Sequence, residues 1–195
     1  MNKKFKAALT NIMKEKSNKA IEILKATGEL SPTAWLFGGG NTICLTREVG
    51  DDWPDKQMFA DQIRAMSVVE RAHTVVFCME GWQASDGWQD RASQDPNRTE
   101  LVFIGVETHD GHAGRTFKTE RDGERFVGLT PGEMKFGDGP DTAEGTFAQL
   151  LVCRELQEDQ TVRMYCEQLI NDQLKQVPFL LTDIPIDAAG GTLDG

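Results

Sequence analysis

The residues of this chain best suited to chemistry are a glutamate and two histidines around one predicted turn. Glu107, His109 and His112 flank Asp110-Gly111, a dipeptide typical of two-residue β-hairpin turns. If this dipeptide forms the turn, His109 and His112 face each other across the hairpin, and Glu107 projects from the same face. Two histidines and a carboxylate are a ligand set for divalent transition metals. The sequence therefore predicts a metal site, although we favour the simpler interpretation of a solvated hairpin tip.

No other group of residues matches a catalytic pattern. The sequence contains no G-x-S-x-G, H-E-x-x-H, phosphate-binding or dinucleotide-binding motif. His73 and Cys78 fall in one predicted strand, but five positions separate them, so the two side chains point to opposite faces. We therefore assign no catalytic residue.

A second candidate site is the polar loop between two apolar stretches, residues 74–79 and 101–106, which are predicted as buried central strands. A loop of this length inside a compact domain is functional or mobile. Its two tryptophans suggest contact with a ligand or partner, but we favour the interpretation that they pack against the underside of the loop. The candidate binding residues are Trp82, Trp88, Arg98 and Glu100.

Length and charge limit the class of protein. The 195 residues are enough for one domain with a sizeable core, and the formal net charge is −10. Basic residues are concentrated at the start, where residues 1–27 hold seven lysines against two glutamates. The acidic remainder repels nucleic acid and anionic membranes, and no secretory or membrane-spanning segment is found. We therefore expect a cytoplasmic protein, unlikely to bind nucleic acid.

The four cysteines are scattered and form no C-x-x-C pair, which favours free thiols over disulfides or a zinc site. They are Cys44, Cys78, Cys153 and Cys166.

Periodicity and turn signals predict an α+β fold. An amphipathic helix over residues 3–27 forms an N-terminal segment, 1–28, and the α+β domain follows over 29–176. The domain begins with a hairpin over residues 34–46 and a helix from about 54 to 72, and a meander follows the two core strands. We expect a mainly antiparallel sheet of five or six strands with packed helices.

The second turn of the meander is predicted at Asp122-Gly123. Counting outward from that turn pairs Arg121 with Glu124 and Glu120 with Arg125, so that opposite charges face each other on neighbouring strands.

The C-terminal part contains a helix and an apolar arm. Residues 145–153 fit a strand or a helix, and we lean to a strand. A helix is predicted over about 157–176, and the prolines beyond it favour an extended arm followed by a disordered tail over 177–195. The arm and the amphipathic helix together carry more apolar surface than one domain needs, which predicts a homodimer. The alternative is that the arm packs against its own domain.

The order of elements, with Glu80-x-Trp82 ahead of Pro96-x-Arg98-x-Glu100, resembles a group of uncharacterised bacterial and phage α+β proteins over residues 30–153. The resemblance implies a fold and no activity.

These observations favour a non-enzymatic protein that binds a protein partner or acts as a scaffold. The second alternative is a metal-dependent enzyme using Glu107, His109 and His112, for which a divalent metal is the one cofactor expected. The third is nucleic-acid binding through the basic N-terminal helix.

Overall fold

The computed structural model describes residues 2–38, 40–47, 53–138, 147–176 and 180–184. The chain forms two compact units, the first from Met1–Pro32 and Val76–Ala143, and the second from Thr33–Val75 and Glu144–Gly195. In chain order the elements are α1 (Lys3–Thr27), β1 (Thr33–Gly38), β2 (Asn41–Thr46), α2 (Trp53–Val69), β3 (Ala72–Gln83), β4 (Thr99–Thr108), β5 (Gly111–Asp122), β6 (Arg125–Asp138), α3 (Arg154–Glu158), α4 (Gln160–Gln176) and β7 (Leu180–Ile184).

The strands confirm the predicted α+β class with an antiparallel sheet. The order in the first unit is β6-β5-β4-β3, and in the second unit β3-β1-β2-β7, with β3 contributing to both. Strands β1 to β6 are the predicted hairpin, core strands and meander, and β7 adds a further strand from the predicted arm. No helix in the described parts of the chain is long and apolar enough to cross a membrane.

Helix α1 of the first unit confirms the predicted amphipathic helix. It begins at Asn2, whose Oδ1 accepts a hydrogen bond from the Phe5 N–H at 2.8 Å. It ends at Gly28, which has a φ of 81° that suits glycine. The helix packs against β4, β5 and β6 through a buried stripe. That stripe includes Leu9, Met13, Ala20 and Leu24.

The first turn of the meander differs from its prediction by one residue. Glu107 pairs with His112 and Thr108 with Gly111, so the turn residues are His109 and Asp110. The predicted primed turn needs a positive φ at Asp110, which the residue does not adopt. The Thr108 hydroxyl stabilises the observed turn by donating to the Gly111 carbonyl at 2.8 Å. The prediction that His109 faces His112 is therefore wrong.

The second turn is also shifted by one residue, but toward the C-terminus. Asp122 pairs with Arg125 and Arg121 with Phe126, so Gly123 and Glu124 form the turn. Among these two residues only Gly123 has a positive φ, 62°, as in a type II′ turn with glycine at its first central position. The predicted charge pairs Arg121–Glu124 and Glu120–Arg125 are therefore wrong as facing pairs.

Strand β3 is longer than predicted. The sequence predicts that the loop opens at Glu80, but the strand continues through Gln83, so Glu80 and Trp82 lie on the strand itself. The connection to β4 contains one 3-10 turn, Ala92–Gln94.

The second unit contains the β1–β2 hairpin, three helices and β7. A Cβ atom at Gly38 would lie 2.7 Å from the Ala72 Cα and from two backbone carbonyl oxygens, so the end of β1 has room only for glycine. Helix α2 packs against α4, with Phe59 and Ile63 buried. Strand β7 pairs antiparallel with β2 of the same chain, which places residues 180–184 of the predicted arm. The rest of the arm and the predicted disordered tail lie outside the described residues.

Two further predictions for this unit need correction. Residues 147–153 form turns and bends rather than a strand or a helix, and 145–146 lie outside the described residues. The C-terminal helix begins at Gln160 instead of 157, because the Asp159 Oδ1 accepts hydrogen bonds from the N–H groups of Thr161 and Val162 and starts a new helix there.

Candidate functional site

The three predicted metal ligands are not brought together as expected. His109 lies in the turn, whereas Glu107 is 7% exposed and pairs with His112 on the neighbouring strand. In the described ranges 2–38, 40–47, 53–138, 147–176 and 180–184, no three His, Cys, Asp or Glu side chains form a set able to hold a metal ion. Metal binding by Glu107, His109 and His112 stays a prediction.

Two of the predicted binding residues do meet. Trp82 lies near the end of β3 and Arg98 immediately precedes β4, and the Arg98 guanidinium carbon is 4.4 Å from the centroid of the Trp82 ring. This is a cation–π contact between side chains from two neighbouring strands. The Trp82 side chain nevertheless remains largely in solvent, since the residue is 43% exposed.

The loop that precedes Arg98 is ordered around one buried carboxylate. Asp95 has no solvent-exposed surface. Its Oδ2 accepts hydrogen bonds from the Ser85 N–H at 2.5 Å and the Ser85 hydroxyl at 2.7 Å. Its Oδ1 accepts from the Asn97 N–H at 2.7 Å. These bonds, with the nearby Arg98 charge, hold the pKa of Asp95 below its ordinary value. The carboxylate therefore joins the two ends of the loop.

Trp88 is fixed separately within this loop. Its indole N–H donates to the Arg91 carbonyl at 3.2 Å, and the residue is 36% exposed. Neither Trp82 nor Trp88 is buried, although Trp88 keeps this contact with its own loop. Packing of the two rings beneath the loop stays a prediction.

Glu100 belongs to a second cluster on the same face of the sheet. Arg121 of β5 binds its carboxylate through two nitrogens, Nε to Oε2 at 2.7 Å and Nη2 to Oε1 at 2.5 Å. The same Nη2 lies 3.5 Å from Oε1 of Glu80. One guanidinium therefore serves two carboxyl groups, and all three side chains are largely buried, with exposures between 17% and 24%.

The cluster also fixes the exit of α1. Arg121 Nη2 donates to the Gly28 carbonyl at 3.1 Å, and Glu80 Oε2 accepts from the Leu30 N–H at 2.7 Å. A cation beside the last carbonyls of a helix is favourable because that end of the helix carries partial negative charge. The three side chains thus join the end of α1 to β3, β4 and β5.

The two carboxyl groups differ in acidity. Burial, with a hydrogen bond and repulsion from Glu100, raises the pKa of Glu80 to about 7. The hydrogen bonds from Arg121 hold the pKa of Glu100 below its ordinary value. Two neighbouring carboxyl groups whose pKa values differ in this way can hold one proton between them near neutral pH.

Sequence reasoning does not find the roles of Glu80 and Arg121. Glu80 belongs to the motif that carries the resemblance, but the predicted loop includes it, and the predicted turn pairs Arg121 with Glu124. The signal that could have found Arg121 is the register of the first hairpin, in which Leu101 pairs with Lys118. Continued by three residues, that register sets Arg121 opposite Arg98, so its side chain lies on the same face as Glu100 and diagonal to it.

Two other features of this unit offer little chemistry. Burial, then repulsion from Glu80, raises the pKa of the Cys78 thiol to about 12, so it is a poor nucleophile. A groove of about 750 Å³ is lined by apolar residues and by charges of both signs. Its lining residues are Leu24, Lys25, Gly28, Asp122, Glu124, Arg125, Phe126 and Val127.

No family model, curated protein or solved structure matches this chain.

Proposed function

We propose that this protein binds a protein partner through Trp82 and Arg98, which we call the Trp–Arg surface. The observation that carries this proposal is the Arg98 guanidinium stacked on a tryptophan ring that is 43% exposed. A tryptophan needed only for the core would be buried, because its contribution to folding comes from removing its surface from water.

The composition of this surface supports the proposal. Tryptophan and arginine are the residue types most enriched among the few side chains that dominate protein–protein binding energy. The stack also fixes both side chains in one arrangement, and Asp95 orders the loop that carries Arg98. Order that exists before binding lowers the entropy cost of association.

The chemistry of the surface indicates what the partner presents. The Trp82 ring offers an apolar face, and the Arg98 guanidinium offers N–H donors that fit a carboxylate or a backbone carbonyl. The complementary partner therefore places an apolar side chain beside a hydrogen-bond acceptor. The formal net charge of −10 disfavours nucleic acid as that partner.

Site-specific cross-linking in the native host tests the proposal. A photoreactive amino acid is placed at position 82 in one variant and at Tyr165 in another, because Tyr165 is also an exposed aromatic residue, at 67%. We expect a discrete cross-linked partner from position 82 and none from position 165. The identified partner should then bind the Trp82→Ala and Arg98→Ala variants at least about tenfold more weakly. Equal cross-linking from both positions, or unchanged affinity of both variants, would contradict the proposal.

We also propose a cytoplasmic homodimer. Its support is the apolar character of residues 177–186 in the sequence. Sedimentation of the full chain at several concentrations tests it, and a monomer at tens of micromolar would exclude it. Truncation at Gln176 is unsuitable as a test because it removes β7 from the sheet.

A further inference from the structure

We propose that Glu80 and Glu100 share one proton, and that loss of this proton in more alkaline solution loosens the stack of Arg98 on Trp82. The pair would then act as a pH switch on the Trp–Arg surface. This inference rests on the proposed function for its biological meaning, but the switch itself is a property of the isolated protein.

The first argument is the shortage of positive charge in the cluster. Nη2 of Arg121 lies 2.5 Å from Glu100 Oε1 and 3.5 Å from Glu80 Oε1, so Glu100 has the closer contact. Because an oxygen of each carboxyl group lies within 3.5 Å of the same nitrogen, Glu80 and Glu100 are close neighbours and repel each other unless one of them carries a proton. With that proton the three groups sum to zero charge, and without it they carry one uncompensated negative charge in a largely buried place.

The second argument is that the Glu80 side chain stays in place when its carboxyl group ionises. Its Oε2 is held by the Leu30 N–H at 2.7 Å, and a backbone N–H binds a carboxylate at least as well as a neutral carboxyl group. The change is therefore one of charge at a fixed position rather than a movement of the Glu80 side chain.

The third argument concerns how this charge reaches the surface. Glu80 and Trp82 are two positions apart on β3, so their side chains emerge on the same face. Arg98 is two residues before Glu100, and its charge acts on the Glu100 carboxylate. A new negative charge on Glu80 attracts the Arg98 guanidinium away from the ring, and a cation–π contact at an exposed site is weak enough to yield.

Other charged groups around the pair bear on its titration. Arg121 favours ionisation of both carboxyl groups, and Arg98 favours ionisation of Glu100. The negative charge of Glu29, just beyond α1, favours the charged form of Arg121. The positive charge of Arg98 favours the ionised form of Asp95. The experiment must therefore isolate Glu80 from these neighbours by substitution.

NMR titration of the isolated protein from about pH 5.5 to about pH 8.5 provides the test. The Trp82 indole N–H signal is assigned with Trp82→Phe, and side-chain carboxyl carbons are followed in the same samples. We expect the Trp82 signal to shift with the same midpoint as the Glu80 carboxyl carbon. Glu80→Gln keeps an acceptor for Leu30 and a donor for Glu100 but cannot ionise, so the Trp82 shift should be lost.

The matched control is Glu133→Gln, which removes an exposed carboxylate from β6 and should leave the Trp82 titration unchanged. A Trp82 signal independent of pH, or one that still titrates in Glu80→Gln, would overturn the switch. Both results are obtained without a partner, so failure of the switch is separate from failure of the cross-linking experiment.

Discussion

Arg121 in the first unit and Arg64 in the second each hold an irregular segment, but they do so with different acceptors. Arg64 donates from Nη2 to the Ala148 carbonyl at 2.8 Å and from Nε to the Gln149 carbonyl at 3.1 Å. Gln149 has a φ of 55°, a conformation that side-chain-bearing residues rarely adopt, so the segment needs this support. Arg121 instead binds two carboxyl groups and one carbonyl at the exit of α1.

The comparison shows how the acceptor decides what an arginine contributes. Backbone carbonyls do not titrate, so the Arg64 contacts have the same strength throughout the neutral range. Carboxyl groups do titrate, and two of them on one guanidinium make the stability of the exit of α1 depend on pH. The second arrangement includes Glu80, which lies on the same face of β3 as the exposed Trp82. Four predictions test this contrast.

The largest effect is expected from Arg121→Met. The substitution leaves the Glu80 and Glu100 carboxyl groups side by side without a cation and removes the donor to the Gly28 carbonyl. We expect a loss of about 3 kcal/mol in the free energy of unfolding at about pH 8. At about pH 5.5 the loss should be smaller, because Glu80 is then protonated. Urea denaturation at both pH values measures this, and an equal loss at both would remove the distinction between the two arginines.

Arg64→Met should cost about 2 kcal/mol, because two carbonyls lose a charged donor in a partly exposed setting. Asp61 also loses its partner, but that ion pair is nearer to solvent and contributes little. The loss should be the same when urea denaturation is repeated at the two pH values. A marked difference between them would show that the Arg64 contacts depend on a titrating group after all.

Glu80→Gln should stabilise the protein by about 1 to 2 kcal/mol at about pH 8. The pKa of Glu80 is about 7 in the folded protein and lower in the unfolded chain, so the folded state binds the proton more tightly. Stability therefore falls as the pH rises from the unfolded pKa to about 7, and the penalty remains above that range. Below the unfolded pKa, both forms of position 80 are neutral and the variant should match the parent.

Thermal or urea unfolding of Glu80→Gln beside Glu133→Gln measures this effect. Glu133 is exposed, so its substitution should change stability little at any pH. A destabilised Glu80→Gln protein at about pH 8 would mean that the ionised form of Glu80 stabilises the fold, which is the opposite of the expected effect.

The smallest effect on stability is expected from Trp82→Ala, about 0.5 to 1 kcal/mol, since the ring is half-exposed and its cation–π contact is near solvent. Denaturation of this variant also checks the binding experiment. A loss above about 2 kcal/mol would place Trp82 among the core residues and remove the argument that it is exposed for a partner.

Local signals predict most of the fold. The stripe of α1, the two apolar core strands and the strands of the meander each lie within a short window of sequence, and each is present. Both predicted meander turns nevertheless differ from the structure by one residue, because a turn dipeptide such as Asp110-Gly111 does not state which of its residues continues the strand. Contacts formed in the folded chain, such as the hydrogen bond from the Thr108 hydroxyl to the Gly111 carbonyl, determine which residue continues the strand.

The candidate site is harder to predict for the same reason. Trp82, Arg98 and Glu100 are evident as candidates in the sequence, and two of them form the Trp–Arg surface. The partner of Glu100 comes from the neighbouring strand β5, about 20 residues away in sequence, so its identity depends on the register of the hairpin between them. The predicted turn at Asp122-Gly123 pairs Arg121 with Glu124 instead, which hides the cluster.

The pairing of β7 with β2 has a consequence for folding during translation. About 130 residues separate Thr46 from Leu180, so β2 leaves the ribosome well before its outer neighbour exists. At about 5 to 20 residues per second the delay is on the order of ten seconds. Throughout that time the unpaired N–H and C=O groups of β2 form an open edge that can recruit a strand from another nascent chain. Protection of this edge during translation, by a chaperone or by slow initiation, should therefore reduce pairing between nascent chains.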